Sequence, residues 1–93
     1  MQVLQTTTFR KAVKKLHTNQ KRDLDEAVNV IMAAPHVGEA KVGDLAGVRV
    51  YKFKMAKQLA LLAYIYEGHT LTLTLLAIGT HENFYRSLKQ SIQ

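Results

Sequence analysis

The stretch VRVYKFKMAKQLALLAYIYEGHTLTLTLLAI, residues 48–78, decides the fold. It reads as three consecutive β-strands: Val48 to Lys54, Gln58 to Tyr66 and Thr70 to Ile78. In the third, Leu71, Leu73 and Leu75 alternate with Thr72 and Thr74, so one face is apolar and the other half-polar. The second is apolar almost throughout, as a central strand covered on both faces must be. Glu67-Gly68-His69 is a short connection of the kind that closes a hairpin.

Ahead of these strands the periodicity changes. Gln2 to about Thr6 suits a short strand, and Thr8 is placed to cap a helix. Phe9, Val13 and Leu16 then recur at i, i+4 and i+7. His17-Thr18-Asn19 interrupts the pattern, with Thr18 or Asn19 available as the next cap. A second helix runs from about Gln20 to Ala33, with Leu24, Ala27, Val28 and Ile31 as its apolar stripe, and Pro35 stops it. The short link makes the two helices an antiparallel hairpin. Residues 35–47 read as an extended loop, and a polar helix from about Glu82 to Ile92 closes the chain. The expected architecture is α+β, in the order β-α-α-β-β-β with a C-terminal helix. The helical hairpin covers one face of a small antiparallel sheet, and the opposite face is free to hold a ligand. No repeat or domain boundary interrupts residues 1–93, which read as a single domain.

Composition narrows the chemistry. The absence of cysteine excludes disulfides, a thiolate nucleophile and cysteine-based zinc sites. The four histidines lack metal-binding spacing, and Asp44, Glu67 and Glu82 stand singly, so neither a metal nor another cofactor is expected. No apolar run is long enough to span a bilayer, and the N-terminus lacks the order of a signal peptide, so the expected location is cytoplasmic, away from membranes. Thirteen Lys and Arg against seven Asp and Glu give a net charge of +6. The excess sits in two blocks. Residues 10–22 hold Arg10, Lys11, Lys14, Lys15, Lys21 and Arg22 without an acid, and residues 41–57 hold Lys41, Arg49, Lys52, Lys54 and Lys57 against Asp44 alone. Such blocks suit a polyanion bound through its phosphates, although solvated lysines explain them equally well.

Two constellations stand out. Strand alternation puts Lys52 and Lys54 on one side, about 7 Å apart, where a bound phosphate would relieve their repulsion. Arg49 and Lys57 add to the local density. The plainer alternative is an edge strand guarded by lysines. Directly after the last strand comes GTHENFYR, residues 79–86. His81 is matched to proton transfer near neutral pH, while Tyr85 and Arg86 offer an aromatic platform and a cation one turn later. By residue type alone, a helix cap, a packed ring and a solvated guanidinium account for them better.

TFRKAVKKL, GDLAGVRVYKFK, LLAYIY and LAIGTHENFYRSLK together resemble the RelE/ParE superfamily of bacterial type II toxins, closest to its RelE/StbE branch. That resemblance implies a metal-independent endoribonuclease that cuts messenger RNA in the ribosomal A site and arrests translation. It implies attack of the ribose 2′-OH on the adjacent phosphorus, leaving a 2′,3′-cyclic phosphate or a 3′-phosphate. Lys52 and Lys54 fall on the lysines of the YKxK strand, His81 on the basic position after the last strand, and Tyr85 near the C-terminal aromatic that stacks on a base. Arg49, Lys57 and Arg86 are the further RNA-binding candidates. An acidic cognate antitoxin is the implied partner, with operator DNA as a further partner of the higher-order complex. Two positions depart from the pattern: Leu61 stands where an arginine is usual, three residues before Tyr64, and Ala56 replaces a basic residue. The alternative within the superfamily is a ParE-like inhibitor of DNA gyrase, which cuts no RNA; a toxin whose activity has decayed is a third reading.

Overall fold

A computed structural model describes residues 1–80 together with Phe84, Tyr85 and Leu88. The elements are β1 (Gln2–Gln5), α1 (Thr7–Lys14), α2 (Thr18–Ala33), β2 (Glu39–Ala40), β3 (Arg49–Met55), β4 (Gln58–Glu67) and β5 (Thr72–Thr80), with a single 3-10 turn at Gly43–Leu45. They form one five-stranded sheet in the order β1-β5-β4-β3-β2. Among the described residues no helix is long and apolar enough to cross a membrane.

The α+β class and the element order are as expected, but the sheet is mixed rather than antiparallel. β1 runs parallel to β5, with Val3 beside Leu73 and Gln5 beside Leu75. β1 has no hairpin partner in sequence, and the helical hairpin carries the chain away from it before β2 begins. β1 therefore joins the far edge of the sheet, where all four of its residues stay exposed. A second addition is β2, inside the stretch expected to be loop, which pairs Glu39 with Val50 and Ala40 with Arg49.

The caps also move. Thr6, not Thr8, caps α1: its hydroxyl accepts from the Phe9 amide at 3.1 Å and donates to the Leu76 carbonyl at 2.6 Å. At α2 the cap is His17 rather than Thr18 or Asn19, and its backbone N–H donates to Gln20 Oε1 at 2.8 Å. β5 starts at Thr72 because Leu71 has φ +50°, which closes the loop after β4 instead of extending the strand. The expected C-terminal helix lies mostly outside the described residues; Phe84, Tyr85 and Leu88 are helical.

The two sheet faces are sorted by alternation. Phe9, Leu24 and Ile31 from the helices pack on Ala60, Leu62, Tyr64, Leu73, Leu75 and Ile78. On the other face Val48, Val50, Leu61, Ala63, Leu76 and Ala77 pack with Phe84 and Leu88. β4 is buried on both sides from Ala60 to Tyr64, as its apolar run requires. A bulge interrupts the β4–β5 ladder, where Ala63 pairs with Ala77 but Tyr64 with Leu75, leaving Leu76 as the extra residue.

Two tethers hold the connections. The Tyr64 hydroxyl donates to the Pro35 carbonyl at 2.7 Å and accepts from the Gly38 amide at 2.9 Å. A Cβ at Gly38 would come within 2.8 Å of that hydroxyl, so only glycine fits there. Between β3 and β4, Ala56 (φ +50°) and Lys57 (φ +73°) form a two-residue left-handed turn without glycine. The carboxylate of Asp23 on α2 accepts from the Ala56 amide at 2.7 Å and pins that turn.

Lys57→Gly is expected to stabilise the protein by about 1 kcal/mol, because glycine adopts the left-handed conformation without steric cost; the urea midpoint reads it. Tyr64→Phe is expected to cost about 1–3 kcal/mol, since it strands the Gly38 amide in the interior. Burial holds the Tyr64 phenol above its ordinary pKa of 10.0. The unfolded chain ionises first, so this stability is present below that pKa and fades as the pH rises through it. Tyr64→Phe should remove that part of the alkaline sensitivity in melts recorded from pH 8 to 11.

Candidate active site

β3 alternates strictly. Tyr51, Phe53 and Met55 turn to the helices, while Val50, Lys52 and Lys54 share the opposite face. Val50 is buried beneath Phe84 and Leu88, whereas Lys52 and Lys54 are exposed. The lysines thus stand on the open part of a face whose other end is closed by apolar side chains. Register sets what lies beside them: Lys52 pairs with Leu61 and Leu61 with Gly79, while Lys54 pairs with Leu59. At the usual strand spacing, the end of β5 lies about 10 Å across the sheet from Lys52. The chain leaves β5 at Thr80, one residue before His81, at the end of the sheet where Thr80 pairs with Ala60.

Leu61 fills the middle of that row, where the superfamily pattern has an arginine. Its side chain is fully buried with Phe84 and Leu88. Among the described residues, the row between Lys52 and Gly79 is thus occupied by a buried apolar side chain, with Lys52 at one end of it.

The other sequence candidates lie elsewhere. Arg49 belongs to the opposite parity and holds the 36–38 loop, donating to the His36 carbonyl at 3.1 Å and the Gly38 carbonyl at 2.8 Å. Lys57 sits beyond Lys54 in the left-handed turn, exposed. Tyr85 lies against Phe84, the ring centroids 5.0 Å apart at 82°, and under the Lys41 ammonium, 5.9 Å from its centroid. Lys41 follows β2 and its amide donates to the Val48 carbonyl, which places this contact at the start of β3, about 13 Å along the strand from Lys52. His81 and Arg86 lie outside the described residues.

Lys41 was legible in the sequence only as one charge of a basic block. In the fold it pairs with Glu39 at 3.2 Å, and hydrogen bonds to Glu39 and Tyr85 raise its pKa above 10.5. It is the cation that holds the Tyr85 ring. No spacing rule links residues 41 and 85; only the β2–β3 pairing brings them together.

The surface can bind a phosphate at Lys52 and Lys54, and a planar group on the Tyr85 ring. Leu61→Arg is expected to destabilise the protein by about 3 kcal/mol, because a guanidinium at this buried position loses its hydration without a partner. A thermal melt beside wild type checks it; an unchanged melting temperature would mean that the site tolerates the charge.

A family model described as ParE-like toxin of type II bacterial toxin–antitoxin systems matches residues 3–89. Several solved structures share the fold. A double mutant of the free Escherichia coli toxin RelE superposes with a TM-score of 0.74 at 14% identity, over 98% of this chain and 93% of that one. The toxin–antitoxin complex RelBE of E. coli gives 0.70 at 16%, covering 87% and 96%. The complex RelBE2 of Mycobacterium tuberculosis gives 0.67 at 24%, covering 86% and 96%. No curated protein sequence matches the chain at a comparable level.

Proposed function

The chain belongs to the ParE-like toxins of type II toxin–antitoxin systems, within the RelE/ParE superfamily, and from that premise we propose that it is a RelE-like endoribonuclease acting on messenger RNA. The observation that carries this reading is the pair Lys52 and Lys54, exposed side by side on one face of β3 and a short step from the end of β5. Two exposed ammonium groups held on one face repel each other, and a scissile phosphate between them relieves that repulsion.

The reaction is an internal displacement. The ribose 2′ oxygen, losing its proton, attacks the adjacent phosphorus; the bond to the 5′ oxygen breaks, and that oxygen takes up a proton as it leaves. A 2′,3′-cyclic phosphate and a 5′-hydroxyl result. Charge grows on the non-bridging oxygens, and Lys52 and Lys54 lower the barrier by meeting it. His81 is assigned the proton transfers and Tyr85 the stacking of a base. The ribosomal A site is the proposed place of cleavage in the cytoplasm. An acidic antitoxin is the proposed partner, by analogy with the RelBE complexes, and operator DNA is bound by the assembly of the two.

The second reading, a ParE-like gyrase inhibitor, is favoured by Leu61, whose buried side chain leaves the row between Lys52 and Gly79 without a guanidinium. Induction in growing cells separates the two. An RNase stops protein synthesis first and leaves new mRNA 5′ ends within codons by primer extension; a gyrase poison breaks chromosomes while transcripts stay intact.

Lys52→Ala and Lys54→Ala are each expected to lower cleavage about 100-fold or more while leaving the melting temperature unchanged, since both side chains are exposed. His81→Gln and Tyr85→Ala should abolish the new ends. Because the ribosome itself needs magnesium, chelation is read on a ribosome-free RNA substrate at high toxin concentration: there EDTA should leave the rate unchanged, and loss of activity restored by magnesium would refute the assigned chemistry.

A further inference from the structure

Leu59 stands on the face of the lysines with half of its surface exposed. The register fixes that side. Lys54 pairs with Leu59 and Lys52 with Leu61, while Ala60 and Leu62 turn the other way and pack toward the helices. Cross-strand pairing puts the Cβ atoms of Lys54 and Leu59 about 5 Å apart, with Lys52 on the diagonal at about 7 Å. The two leucines of this row of β4 differ in their cover. Leu61 is buried with Phe84 and Leu88, whereas Leu59 belongs to neither apolar cluster of the described residues. One pair, Met55 with Gln58, separates Leu59 from the left-handed turn at Ala56 and Lys57, and the Asp23 carboxylate pins that turn. The leucine is therefore held beside the lysines before any ligand arrives.

We propose that Leu59 is a platform for the face of a nucleobase next to the scissile phosphate, and so a further binding residue of the site at Lys52 and Lys54. The inference rests on the endoribonuclease reading and gives it a subsite. Two features choose the occupant. A ligand that covers Leu59 also lies over two exposed ammonium groups. An apolar protein surface would gain the contact with the leucine but strip water from both cations without replacing it. A nucleotide meets both demands in one unit: its phosphate answers the ammonium groups, and its base brings a flat apolar face to the leucine. The chemistry of the contact also sets what it can discriminate. An aliphatic side chain has no donor or acceptor, so it touches the face of a base and leaves the hydrogen-bonding edge unread. Leu59 thus favours the presence of a base at this position without selecting which base it is.

The test measures cleavage of a short single-stranded RNA by the full chain at high concentration, without ribosomes. Leu59→Asn is expected to lower kcat/KM about tenfold, through KM, and Leu59→Met to stay within about twofold of wild type. Circular dichroism melts confirm that each variant is folded. Leu71→Asn removes a similarly exposed leucine beyond the other end of β4 and is expected to cleave as wild type does. Substrates in which one base beside the scissile bond is replaced by hydrogen, the ribose kept, assign the contact. At one of those two positions, loss of the base should cost wild type about tenfold more than it costs Leu59→Asn. The four natural bases there should respond alike to Leu59→Asn. Full activity in Leu59→Asn would overturn the proposal, as would equal losses in both proteins at both abasic positions. Undiminished cleavage by a Leu59→Asn variant that no longer holds a co-purifying protein would give the leucine to that protein and overturn it too. If wild type cuts no RNA, or Lys52→Ala cuts as well as wild type, the endoribonuclease reading fails and the platform with it. An inactive Lys52→Ala beside a fully active Leu59→Asn removes the platform alone.

Discussion

The hydroxyl of Tyr64 holds more of this molecule in place than its size suggests. It sits at the centre of the sheet with no exposed surface and makes two hydrogen bonds, to Pro35 and Gly38. Those bonds fix the exit of α2 and the approach to β2. Arg49, on the neighbouring strand, takes the carbonyls of His36 and Gly38, so the same short loop is held from two sides. With the loop fixed, β2 can pair with β3, Lys41 is carried to Val48, and its ammonium meets the ring of Tyr85. A structural phenol thus governs, four contacts away, where a candidate functional aromatic stands.

This dependence also explains why Arg49 contributes its charge to structure. Desolvating loop carbonyls is costly unless donors replace the lost water. A guanidinium presents several donors in one plane and serves two carbonyls with a single nitrogen. Sequence density grouped Arg49 with Lys52 and Lys54; strand parity separates them.

Much of the fold was legible because periodicity is a local property. The stripes Phe9, Val13, Leu16 and Leu24, Ala27, Val28, Ile31 do face the core, and the apolar run of β4 is the doubly covered centre of the sheet. Lys52 and Lys54 were legible for the same reason, since alternation along one strand puts them together. What escaped is non-local. The parallel pairing of β1 joins residues about seventy positions apart, and nothing in QVLQ marks the partner. The shift of the cap from Thr8 to Thr6 follows from a hydrogen bond to Leu76, which no helix rule sees. Leu71 reads as a strand residue by its alternation with Leu73, yet the loop needs a left-handed residue and takes it there. The separation of Tyr85 from Lys52 required the β2 pairing.

The extra residue at Leu76 has a consequence of parity. Upstream of it Leu73 and Leu75 point to the helices; downstream Ile78 does, while Ala77 and Gly79 turn to the face of the lysines. Two successive side chains, Leu76 and Ala77, therefore fall on the same face, which no regular strand can do. Take Leu76 away and simple alternation returns, with Leu75 and Ile78 still toward the helices and Ala77 and Gly79 still on the lysine face. An in-frame loss of that one codon would thus be absorbed by the ladder: the second face gives up one leucine, and every later residue keeps its side. The bulge is a slack link, a place where the strand can shorten by one residue without turning over.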